Sequence, residues 1–60
     1  MSIIQILIER DNMPEEEAKE LFILARKALY EYISEGDEEA AYNICEEFFG
    51  LEPDYIMELM

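Results

Sequence analysis

Four carboxylates flank Gly36, as Glu35, Asp37, Glu38 and Glu39, and two more, Glu46 and Glu47, follow directly on Cys45. Residues of these types can hold a hard cation, pass protons between paired acids, or supply a thiolate nucleophile, so each chemistry is weighed first. The acids around Gly36 lack the alternating spacing and closing glutamate of a calcium loop. A helical di-iron site needs a Glu-x-x-His pair, and the chain has no histidine. With one cysteine and no histidine, the usual zinc ligand sets are also missing. The same acids are accounted for as the solvated start of a helix, where negative charge meets the positive end of the macrodipole.

Glu46 and Glu47 are adjacent, and adjacent positions on a helix point in different directions, so they do not form an acid-base pair. Cys45 lies among apolar neighbours with acids beside it, and both burial and negative charge raise a thiol pKa. It is therefore expected to be an inert core residue. The only serines are Ser2 and Ser34, with no base of suitable pKa to activate either. The sequence predicts no catalytic residue, no metal site and no cofactor, and hence no enzyme.

The balance of charge is more informative than any single residue. Sixteen acids face four bases for a formal net charge of −12, and the bases, Arg10, Lys19, Arg26 and Lys27, all fall in the first half. Residues 28–60 hold ten acids and no base. Direct nucleic-acid binding and attachment to an anionic membrane both need clustered positive charge, so neither is expected. No apolar run approaches the roughly 20 residues of a membrane span. The apolar start, Ile3, Ile4, Ile6, Leu7 and Ile8, lacks the basic region and cleavage site of a signal peptide. A cytoplasmic protein with one free thiol is the expectation.

Positioning these residues falls to helices. Turn chemistry breaks the chain at Asp11 to Pro14, at Ser34 to Asp37 and at Gly50 to Pro53, with Gly36 and Gly50 suited to the left-handed position that ends a helix. Pro14 and Pro53 suit first helical positions, and Asp37 is a good N-cap. Either Asn12, with Glu15 completing a capping box, or Met13 could cap the second segment. The fold predicted is all-α, a compact bundle of three to four short helices covering about residues 2–11, 14–35, 38–49 and 53–60. The β-branched first segment could also read as a strand, but the chain offers no edge for one strand to pair with, so a helix is preferred.

On the long second helix Ala18, Leu21, Phe22, Ala25, Ala28, Leu29, Tyr32 and Ile33 keep helical spacing and should face the core. Ile23, Leu24 and Tyr30 lie off that stripe and form the candidate interface. Tyr42, Tyr55, Met57 and Met60 are further aromatic and thioether side chains of the kind enriched in interface cores. A 60-residue chain buries only about 60% of the surface its unfolded form exposes. Without disulfide or metal, dense packing or self-association must make up the difference, and the two-sided apolarity of the long helix points to a helical homodimer.

The Ile6 to Leu21 stretch, helix then tight turn then proline then helix, is echoed by Ile44 to Leu59. A helix-turn-helix DNA reader is not the explanation, because the second helix of the echo carries Asp54 and Glu58 in place of basic and amide side chains. The segments Asp11-Asn12-Met13-Pro14-Glu15-Glu16-Glu17-Ala18 and Gly50-Leu51-Glu52-Pro53-Asp54-Tyr55 resemble a set of short bacterial and phage proteins that read N-G-M-x-x-E-E-A and close on G-L-E-P-D-Y. This chain departs from them in lacking the glycine after Asn12. The resemblance implies a helical fold and a bacterial or phage source, and carries no catalytic residues.

Two functions fit these observations. One is a small acidic protein that self-associates and docks on a protein partner through an apolar patch. The alternative is a phage-type nucleic-acid mimic, in which Glu31, Glu35, Asp37, Glu38, Glu39, Glu46 and Glu47 form an acidic face that imitates phosphates and inhibits a DNA- or RNA-binding host protein.

Overall fold

The computed structural model describes residues 2–60, which form helices joined by short turns, with no strand among them. Helix α1 spans Ile3–Arg10, α2 Glu15–Glu35, α3 Glu38–Tyr42 and α4 Ile44–Phe49; a 3-10 turn over Pro53–Tyr55 runs into α5, Ile56–Leu59. The first segment is thus a helix, and Ser2 starts it by accepting from the Gln5 amide at 3.1 Å. Helix α2, about 31 Å long at 1.5 Å per residue, sets the 34 Å longest dimension of the molecule. The other helices pack along one side of it.

The punctuation works through specific bonds. Gly36, at φ 77°, ends α2 in a Schellman turn, with the Gly36 amide donating to the Ile33 carbonyl at 3.1 Å and the Asp37 amide to that of Tyr32 at 2.8 Å. Asp37 then caps α3, its carboxylate accepting from the Ala40 amide at 3.2 Å. Pro14 departs from expectation: it occupies the cap of α2 itself, with ψ 145°, and makes no side-chain bond, so neither Asn12 nor Met13 caps the helix. The segment expected over 38–49 is two helices, because Asn43, at φ −89° and ψ 4°, leaves helical geometry for one residue while its amide and carbonyl still bond to Glu39 and Glu47.

The echo in the sequence is a repeated turn. Asn12 (φ 55°) and Gly50 (φ 65°) both take the left-handed conformation. In the first, the Met13 amide reaches back to the Leu7 carbonyl at 3.3 Å; in the second, the Leu51 amide reaches back to that of Cys45 at 3.2 Å. Asparagine is one of the few non-glycine residues that tolerate this conformation, which is why the first turn forms without a glycine.

The core joins Ile3 and Leu7 of α1, Ala18, Ala25 and Leu29 of α2, Ala41 of α3, Ile44, Cys45 and Phe49 of α4, and Leu59 of α5. Leu21, Phe22, Ala28 and Tyr32 of the stripe are partly buried against it. Ile33 is not: it is 48% exposed and lines an open groove with Ala41 and Tyr42 of α3.

Candidate docking surface

Helix α2 carries all three candidate interface residues, and all three are exposed: Ile23 50%, Leu24 56% and Tyr30 45%. They do not form one face. Ile23 and Tyr30 lie only about 20° apart around the helix, but Leu24 lies about 120° from Tyr30. Ile23 and Leu24 line a shallow groove of about 220 Å³ with Glu20, and Leu24 also lines one of about 340 Å³ with Met13, Glu17, Glu20 and Leu21. Tyr30 turns to the other end of the molecule. Its hydroxyl makes a long bond to the Met60 carbonyl at 3.4 Å, and the Arg26 guanidinium sits over its ring at 5.8 Å from the centroid.

That end holds the larger apolar surface. Ile33, Tyr42 and Met60 are exposed there, and Met57 is exposed on α5. A groove of about 320 Å³ has Leu29, Ala41 and Ile56 among its lining, with Ile33, Tyr42 and Met60 exposed around them and Gly36 and Glu38 completing it. Periodicity on α2 assigns Ile33 to the core stripe; the structure leaves it half exposed as a wall of this groove. Tyr42 and Met60 were legible as surplus apolar residues, but not as neighbours of Ile33.

The seven acids expected as a face are all exposed and are distributed over α2, the turn after it, α3 and α4. None has a cation within salt-bridge distance among the described residues, where the pairs are Arg10 with Asp11 and Lys19 with Glu15. Asp37 is engaged in capping α3, and Glu38 and Glu39 occupy its first turn. Glu46 and Glu47 border an open, mainly polar depression of about 400 Å³ with Asn43. Among the described residues no group of acids and cysteine is arranged to hold a metal ion, and no helix is long and apolar enough to cross a membrane.

Cys45 is buried. Burial pushes its thiol pKa up, and Glu58 pushes it further in the same direction. The acid that acts on it therefore comes from the C-terminal segment and not from its chain neighbours Glu46 and Glu47. Two contacts hold that arrangement in place. The Glu58 carboxylate accepts from the Ile3 amide at 2.9 Å. Arg10 grips Asp11 through two bonds, at 2.8 and 2.9 Å, and donates to the Phe49 carbonyl, so that it ties the two repeated turns together.

None of the protein-family models, curated proteins or solved structures compared with this chain matches it.

Proposed function

We propose that this chain is a small acidic, cytosolic interaction protein, not an enzyme, which self-associates and docks on a protein partner through an apolar patch. One observation carries the reading: seven large apolar side chains stay at least 45% exposed although the interior is already closed. The exposed area, 4231 Å², is close to the ~4,100 Å² expected of a compact monomer of this mass. The outward apolar groups are thus surplus to folding, and apolar groups gathered at a surface mark interaction sites.

The face of α2 at Ile23 and Leu24 suits self-association, because Glu20 and Lys27 stand symmetrically on either side of it. Two α2 helices packed antiparallel about the midpoint of Ile23 and Leu24 set Glu20 of each against Lys27 of the other. Sedimentation equilibrium tests this: a dimer that Ile23→Glu converts to monomer supports it, and a monomer at millimolar concentration removes it.

The mimic is the second reading, favoured by seven exposed carboxylates that make no ion pair among the described residues, in and around a stretch free of bases. The two differ in their response to salt. Docking over an apolar patch keeps most of its affinity at high salt and is not displaced by DNA, whereas a mimic loses its partner steeply with salt and is displaced by DNA.

A further inference from the structure

The groove beside the C-terminal end of α2 is built to take an apolar stripe. Leu29 and Ala41 are buried at its base, Ile56 is half-buried, and the exposed Ile33, Tyr42 and Met60 flank them. At about 320 Å³ and open to solvent, it lies at the lower limit of small-molecule pockets, which enclose most of their ligand. Its size suits one or two large side chains of a longer partner.

The charge around the groove decides between occupants. Glu38 lines it, Glu35, Asp37 and Glu39 flank Glu38 in the chain, and residues 28–60 supply no base. Arg26 is the cation placed toward this end, and it is stacked on Tyr30. A second copy docking here groove to groove would bring another base-free acidic rim against this one, and like charges brought together across an interface oppose association. A helix with apolar side chains on one face and lysine or arginine beside them meets both the floor and the rim.

We propose that this groove receives a cationic amphipathic helix of a partner protein, with its apolar stripe over Leu29, Ala41 and Ile56 and its bases toward Glu38 and the acids beside it. The proposal rests on the docking reading above and names the site and the partner's chemistry.

Three synthetic helical peptides test it by isothermal titration, with backbone amide shifts locating the site. One has a leucine stripe and lysines, the second the same stripe with glutamates, and the third lysines with an alanine stripe. The first should bind at least tenfold tighter than either of the others and shift Ile33, Tyr42, Ile56 and Met60. Ile33→Ser and Tyr42→Ser, both at exposed positions, should each weaken it at least fivefold with the circular dichroism unchanged, and Glu38→Gln should flatten its salt dependence. Equal binding of the glutamate peptide overturns the charge argument, and equal binding of the alanine peptide reduces the effect to net charge. Shifts centred on Ile23 and Leu24, or a dimer that Ile33→Ser dissociates, give the groove a different role and overturn the assignment while leaving the docking reading intact. No peptide binding from a chain that stays monomeric removes both.

Discussion

The Ile3 amide donates to Glu58 Oε2 at 2.9 Å, closing the fold between its first helix and its last across 55 positions. The first amides of a helix have no partner within it, and Ser2 reaches only that of Gln5. Glu58 supplies another acceptor, and its negative charge suits the positive end of α1. Glu58→Ala should lower stability by about 1 kcal/mol, the usual net value of one hydrogen bond, read as an earlier urea midpoint by circular dichroism. Glu58→Gln keeps an amide oxygen in the same place and should lose less. Exchange of the Ile3 amide should quicken in the alanine variant; an unchanged rate would mean that the carboxylate does not hold it in solution.

Cys45 sets a pH dependence at the alkaline end. Its folded pKa is raised by burial and by Glu58 from an ordinary value of 9.0. The folded chain therefore keeps this proton to higher pH than the unfolded one, and stability falls as pH rises above about 9. The contribution is complete below that value. The comparison that isolates the thiol is between wild type and Cys45→Ala from pH 8 to 9.5, where the variant should decline less. A thiol reagent should label Cys45 in urea within minutes and scarcely at all in buffer.

Arg10 and Asp11 act at the opposite end of the scale. The Arg10 hydrogen bonds hold the Asp11 carboxyl below its ordinary 3.8, so the pair stabilises the fold above that value and is lost as pH falls through the lower folded one. Asp11→Asn should remove this component of acid unfolding, visible as a shallower decline below pH 4. Arg10→Lys should lose nearly as much as Arg10→Ala, because one ammonium cannot repeat the planar fork that grips Asp11 twice and reaches the Phe49 carbonyl. A lysine variant as stable as wild type would show that charge alone suffices.

The helices and most of the core could be read in the sequence because glycine and proline act locally. Gly36, Gly50, Asp37 and Pro53 stand where turn chemistry puts them, and Cys45 is as buried as its neighbours imply. The missed features depend on tertiary placement. Asn43 departs from the helix by one residue while keeping its hydrogen bonds, which leaves no compositional mark. Ile33 has the right period for the core, but periodicity fixes only a direction around α2, not whether another helix lies there. Ile23, Leu24 and Tyr30 share a lack of core periodicity, and the structure sends Tyr30 to Met60 and leaves the other two on their own groove.

Leu29 and Ile33, four residues apart on α2, should therefore respond differently to truncation. Leu29 is fully buried and Ile33 is 48% exposed. Leu29→Ala should cost about 2–5 kcal/mol, against a total of roughly 3–9 kcal/mol for a chain of this length at typical values per residue. Much of the population should then be unfolded at 37 °C. Ile33→Ala should cost less, about 1.5 kcal/mol at most, since only about half of its surface is removed from water on folding. Urea melts of the two variants provide the check, and equal losses would place Ile33 under cover in solution.

The proposed antiparallel pairing of α2 makes a prediction about charge order that self-association by apolar contact alone does not. Glu20 stands three residues before Ile23 and Lys27 three after Leu24, so a two-fold axis between Ile23 and Leu24 creates two Glu20–Lys27 contacts per dimer. Exposed pairs contribute roughly 0.2–1 kcal/mol each, so two of them correspond to between about twofold and thirtyfold in Kd. Lys27→Glu and Glu20→Lys should each weaken the dimer, and the double exchange should recover most of the loss, because it restores both opposite-charge contacts with their signs reversed. The same axis sets Glu16 against Glu31, and each protomer carries a formal charge of −12. Salt screens this repulsion and the two attractive contacts alike, so the differences in Kd between wild type and the single variants should shrink as salt rises. Sedimentation equilibrium on the four proteins at low and high salt measures all of this. If the losses in the two single variants simply add in the double exchange, Glu20 and Lys27 do not meet across the dimer, and the register is wrong even where a dimer forms.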